Sequence, residues 1–102
     1  MEKNNQKVED KKSEHYQFQL FVGGNTIACL RAIQNSNRLF ETTLKGRFKI
    51  EVIDIYEHPE RAVQENIITI PTLIKKTPLP IIRITGDLSD SELVLREMLI
   101  EK

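Results

Sequence analysis

The sequence holds a single cysteine, Cys29, among 102 residues. One thiol excludes an intramolecular disulfide and a Cys-rich metal centre, and it suits a reducing compartment. Neither sign of charge is in excess, because Lys plus Arg and Asp plus Glu each number 15. That argues against a general nucleic-acid binder, which carries a basic surplus. Low net charge also gives little colloidal repulsion, so self-association into a homo-oligomer is expected. No apolar run approaches the roughly 20 residues of a membrane helix, and residues 1–15, MEKNNQKVEDKKSEH, lack the apolar core of a secretory signal. The expectation is a cytoplasmic protein without nucleic-acid or membrane partners. The two histidines, His15 and His58, are far apart, and neither has a Cys or His at metal-ligand spacing. No nucleophile-base-orienter set is recognisable. Gly23-Gly24-Asn25 could suggest a phosphate loop, but no G-x-x-x-x-G-K-S/T pattern accompanies it. No cofactor, metal or catalytic residue is expected.

What is present reads as one small α/β domain preceded by a polar segment. Residues 1–15 hold too little apolar surface to offset their ordering entropy and are expected to form a flexible arm, whose removal should leave stability nearly unchanged. From Tyr16 the period becomes two: Tyr16, Phe18, Leu20 and Val22 alternate with glutamines, which predicts a strand. Gly23-Gly24-Asn25 ends it, and Asn25 or Thr26 can cap a helix running to about Thr43. Leu30, Ile33, Phe40 and Leu44 are its expected buried face, and Gly46 closes it. Phe48 to Ile55 is a second strand whose apolar second half predicts burial on both faces. Pro59 opens a short second helix, with Glu60 against the positive end of its dipole and Asn66 as its stop. Strands from Pro71 and from Ile81 to Thr85 form a hairpin around Thr77-Pro78-Leu79-Pro80. Ser89 and Glu92 read as a capping box, with Leu88 and Leu93 as its hydrophobic staple, opening a final helix to about Ile100. The resulting order, β-α-β-α-β-β-α, gives a mixed sheet with flanking helices. No internal repeat is found.

The segments FVGGNTIACLRAI, FKIEVIDIYEHPERA, ITIPTLIKKTPLPIIRITGDLS and SELVLREML resemble the KaiB family of the bacterial circadian clock, over about residues 16–99. The elements that carry the resemblance are Gly24-Asn25-Thr26, Val52-Ile53-Asp54, Thr72-Leu73 after Pro71, and Gly86-Asp87-Leu88-Ser89, in that order and spacing. The resemblance implies a thioredoxin-like fold over residues 16–102 and a non-enzymatic module that binds the ATPase ring of a KaiC-like partner. It implies a competitor, a histidine kinase with a KaiB-like sensor domain, and in the full clock the sequestration of KaiA. It also implies a second arrangement, in which the C-terminal half rearranges and the protein forms tetramers. The chain departs from clock members in its polar N-terminal arm, in lacking an acidic C-terminal tail, and at Leu79, which interrupts the proline run. A clock role and a stress-response role are both compatible with it.

By the same resemblance, Arg31, Lys75 and Arg83 are the expected partner-binding residues. Lys75 and Lys76 are neighbours on a strand and point to opposite faces, so only some of these cations can share one interface. Pro71 matches the cis-proline loop of thioredoxin-like folds. Thr26-Ile27-Ala28-Cys29 stands where redox relatives carry C-x-x-C, so a second reading is a redox protein or sensor using Cys29. With Thr26 at the first position the attacking thiol is missing, and one cysteine cannot run a dithiol cycle. Asp54 is expected as a loop-start or capping acid, and His58 as a capping or loop residue. Residues 89–100 contain no Gly or Pro and are rich in helix formers. The expected resting form is therefore the thioredoxin-like one, with Pro71 cis.

Overall fold

The computed structural model describes residues 15–100. The arm expected over residues 1–15 lies, save for His15, outside the described residues. The alternation at the start of the domain becomes β1, Tyr16–Val22. Tyr16, Phe18, Leu20 and Val22 point into one core, but Phe21 is buried as well, on the opposite side. A strand buried on both faces is central, and β1 indeed pairs on both sides. β2, Phe48–Asp54, runs parallel to it from Tyr16↔Phe48 to Val22↔Asp54. β3, Thr72–Thr77, runs antiparallel on its other side, and β4, Ile82–Thr85, completes the order β2-β1-β3-β4.

That order corrects one expectation. β2 stands at the sheet edge, so its second half is not buried on both faces: Ile53 is buried, but Val52 is 45% exposed.

Between β1 and β2 lies α1, Ile27–Leu44. Thr26 is its N-cap, with Oγ1 accepting from the Cys29 N–H at 3.2 Å, which satisfies one of the donors a helix start leaves open. Lys45 ends it in the left-handed region at φ 51°. Its buried stripe is Cys29, Ala32, Ser36, Phe40 and Leu44, at helical spacing. This stripe is rotated from the expected one: Ile33 is half-buried and Leu30 faces out, 47% exposed. Phe40 stacks on Phe18, with centroids 4.2 Å apart, and meets Phe48 edge-on at 5.8 Å, both favoured aromatic geometries.

α3, Ser91–Glu97, closes the same face through Val94 and Leu95, joined by Met98 and Ile100 beyond its end. Its N-cap is Asp90, not Ser89: Asp90 Oδ1 accepts from Leu93 N–H at 3.1 Å. The Ser89 N–H is already taken by Asp87 Oδ1 at 3.0 Å, so a local turn moves the helix start by one residue. The helix also ends earlier than Ile100, with Leu99 at φ 60°.

On the opposite face Phe21, Ile53 and Ile74 form a second, smaller core, closed by Ile55, Ile67 and Ile70. These three flank the short α2, Pro59–Gln64, which has Pro59 in its first turn. The peptide bonds before Pro71, Pro78 and Pro80 are cis.

Candidate docking surfaces

The C-terminal ends of the parallel strands β1 and β2 meet two loops and the start of α1. Gly23 is favoured there by close approach, because a Cβ on it would lie 2.4 Å from Ile70 Cδ1 and 3.1 Å from Tyr56 Cε2. Tyr56 thus lies across the glycine turn, itself 73% exposed. Asp54 organises the loop below it: its Oδ1 accepts from Tyr56 N–H at 2.8 Å, and its carbonyl accepts from the N–H groups of Glu57 and His58. His58 holds the N-cap position of α2 without a side-chain capping bond.

Where redox relatives would place a thiol pair, Thr26 is spent on capping and Cys29 is 1% exposed inside the large core. The outward side of the same helix start carries Ile27, 68% exposed, then Leu30 and Arg31, also exposed. Across from it, Asp87 has its carboxyl held below the ordinary aspartate value, first by the Ser89 hydroxyl and backbone N–H and, to a smaller extent, by Arg31. Asn35 Nδ2 donates to the Asp87 carbonyl at 2.9 Å, and Arg38 donates to Asn35 Oδ1 at 2.7 Å. α1 therefore holds the loop that leads into α3. A groove of ≈ 190 Å³ between them, lined in part by Arg38, Thr42 and Ser89, is smaller than the roughly 300–1,000 Å³ of small-molecule sites.

The three cations expected to bind a partner are not brought together. Arg31 stands outside on α1. Lys75 is 1% exposed and sits on the face of β3 shared with Leu73, in register with Phe18 and Ile82. Arg83 lies on the other face of the sheet, opposite Ile74, and is occupied: its guanidinium donates to the carbonyl oxygens of Glu65 and Asn66, and lies 3.6 Å from Glu65 Oε1. The same carboxylate accepts from Lys76 Nζ at 2.9 Å. Glu65 escapes a sequence reading because its partners are 11 and 18 residues away. The apolar strip of Ile27 and Leu30 escapes it because Leu30 fits the buried periodicity about as well as Cys29 does.

Among the described residues, no group of three or more His, Cys, Asp and Glu could hold a metal ion, and no helix is long and apolar enough to cross a membrane. A protein-family model, the KaiB domain, matches residues 19–99. Circadian clock protein KaiB3 of Synechocystis sp. is 42% identical over 76 residues, 74% of either chain. Among solved structures, the N-terminal domain of Synechococcus elongatus SasA superposes with a TM-score of 0.68 at 18% identity, over 84% of this chain and 85% of that one. Mitochondrial thioredoxin 3 of Saccharomyces cerevisiae, in its oxidised form, gives a TM-score of 0.65 at 15% identity, over 83% of this chain and 77% of that one. At such identities these two show the fold alone, and that fold is thioredoxin-like.

Proposed function

The chain belongs to the KaiB family, and on that premise we propose that it is a protein-docking module of a clock or stress-response system whose partner is a KaiC-like ATPase. The observation that supports this most is the outward strip Ile27, Leu30 and Arg31 on α1, two exposed aliphatic side chains next to a cation. Such a strip has the composition of a contact patch, with an apolar centre and an Arg able to pair with a partner's carboxylates. Lys75 and Arg83 stand apart from it: one is inside the sheet layer and the other holds β4 to the end of α2. A histidine kinase with a sensor domain of this fold competes for the same partner surface.

The test is a titration of the labelled 102-residue chain with a purified KaiC-type ATPase, with and without ATP, followed by displacement with an isolated sensor domain of this fold. Saturable binding reversed by that domain is expected. Absence of binding in both nucleotide states contradicts the proposal.

A further inference from the structure

The segment that spans the small core puts no buried side chain of its helix into it. Phe21, Ile53 and Ile74 are 0–2% exposed, and the residues that close over them, Ile55, Ile67 and Ile70, precede and follow α2. The helix itself has no buried residue, and its Val63 is 75% exposed. With only six residues, it is far below the length at which a helix sustains itself.

Charge ties it down instead, at three strands. Arg61 donates from Nη1 and Nη2 to the two carboxylate oxygens of Glu51 on β2, each at 3.0 Å. Glu65, at the helix C-cap, accepts from Lys76 on β3 at 2.9 Å. The Arg83 guanidinium on β4 faces the same carboxylate and donates to the last carbonyl oxygens, Glu65 and Asn66, where a cation also meets the negative end of the helix dipole. All five side chains keep contact with solvent, from 24% exposed for Glu65 to 51% for Glu51. Salt therefore screens these pairs, whereas it does not weaken the burial that holds β1 and α1.

We propose that residues 57–70 form an ionically clasped strap, fastened at Glu65, which opens locally when its charges are screened or removed and uncovers Phe21, Ile53 and Ile74 while the rest of the domain stays folded. Local opening of this kind is a distinct low-energy event, separable from global unfolding. The strap makes the exposure of the small core a function of ionic strength, and of any ligand or modification that competes for Glu65, Lys76 or Arg83.

Residue-resolved hydrogen exchange of the 102-residue chain at low and high sodium chloride tests this. The reporters are the N–H groups of Glu65, Asn66 and Ile67, bonded to the carbonyls of Arg61, Val63 and Ala62. In the parent protein they should exchange about tenfold faster at high salt, while Phe18 and Leu20 on β1 keep their rates. Glu65→Gln should show the fast rate already at low salt and lose most of the salt response. Lys76→Gln, which leaves Arg83 its partner, should lie between the two. Salt-independent rates at residues 65–67, rates that move together with those of β1, or a Glu65→Gln variant indistinguishable from the parent would each overturn the proposal.

Discussion

At Gly23 the missing side chain decides how closely the turn after β1 can meet Ile70 and Tyr56. The atom nearest an added Cβ is Ile70 Cδ1, at 2.4 Å, the far end of a side chain that can rotate. Gly23→Ala should therefore cost about 1 kcal/mol rather than abolish folding. Ile70→Val removes that Cδ1 and alone should cost about 1 kcal/mol. Because the double variant removes the clash at its source, its loss in urea unfolding should fall short of the sum of the two singles; strict additivity would show that the contact does not exist. Glu51 offers a second residue-scale test. The bidentate hydrogen bonds from Arg61, helped by its charge and by Gln19, hold its carboxyl below the ordinary 4.5. A depressed folded-state pKa contributes stability that is complete above the unfolded value and is lost as pH falls through the folded one. The parent should thus exceed Glu51→Gln in stability near neutral pH, by a small margin because the pair is partly exposed. The margin should shrink below pH 4.5, and a margin that is constant through acid would contradict the assignment.

Among the elements, the start of α3 separates two readings that differ by one residue. If Asp90 is the cap, Asp90→Ala should cost about 1 kcal/mol and Ser89→Ala much less; equal losses would return the cap to Ser89. The reason the sequence pointed to Ser89 is instructive. Ser-x-x-Glu is a true capping pattern, but Asp87 competes for the Ser89 N–H through a turn two residues long, and the competition is invisible to a pattern that begins at the serine. The bounds of β1, by contrast, were legible, because period-two alternation and the Gly-Gly stop are local features, whereas the burial of Phe21 on its second face was not. The α1 cap was narrowed only to Asn25 or Thr26, and the structure takes Thr26. The edge position of β2 was not, since strand order arises from long-range pairing and an apolar run alone suits a central strand as well as an edge one. For the same reason the burial of Lys75 and the pairing of Arg83 with Glu65 lay outside what a strand pattern can express. The family resemblance named Arg31, Lys75 and Arg83, but carried no sign that Lys75 is buried or that Arg83 is bonded at the end of α2.

For the molecule as a whole, the sheet separates two tasks. One face is the larger core under α1 and α3, built on the Phe18–Phe40 stack with Lys75 buried beside it. The other carries the small core and its charged strap. Between them, at the open ends of β1 and β2, the start of α1 presents Ile27, Leu30 and Arg31 outward, on the helix whose opposite side is most firmly anchored. A docking patch on a rigid element keeps its backbone geometry without a loop-ordering cost on binding. Substitution there should change association and leave the fold alone. The most direct measurement is the association rate of Arg31→Glu with a KaiC-type ATPase at low and high salt, beside the parent and with urea unfolding of both chains. The expected result is an unchanged unfolding midpoint, association about tenfold slower at low salt, and a difference that closes as salt rises. Equal rates for the two chains at low salt would show that the partner does not meet this face of α1.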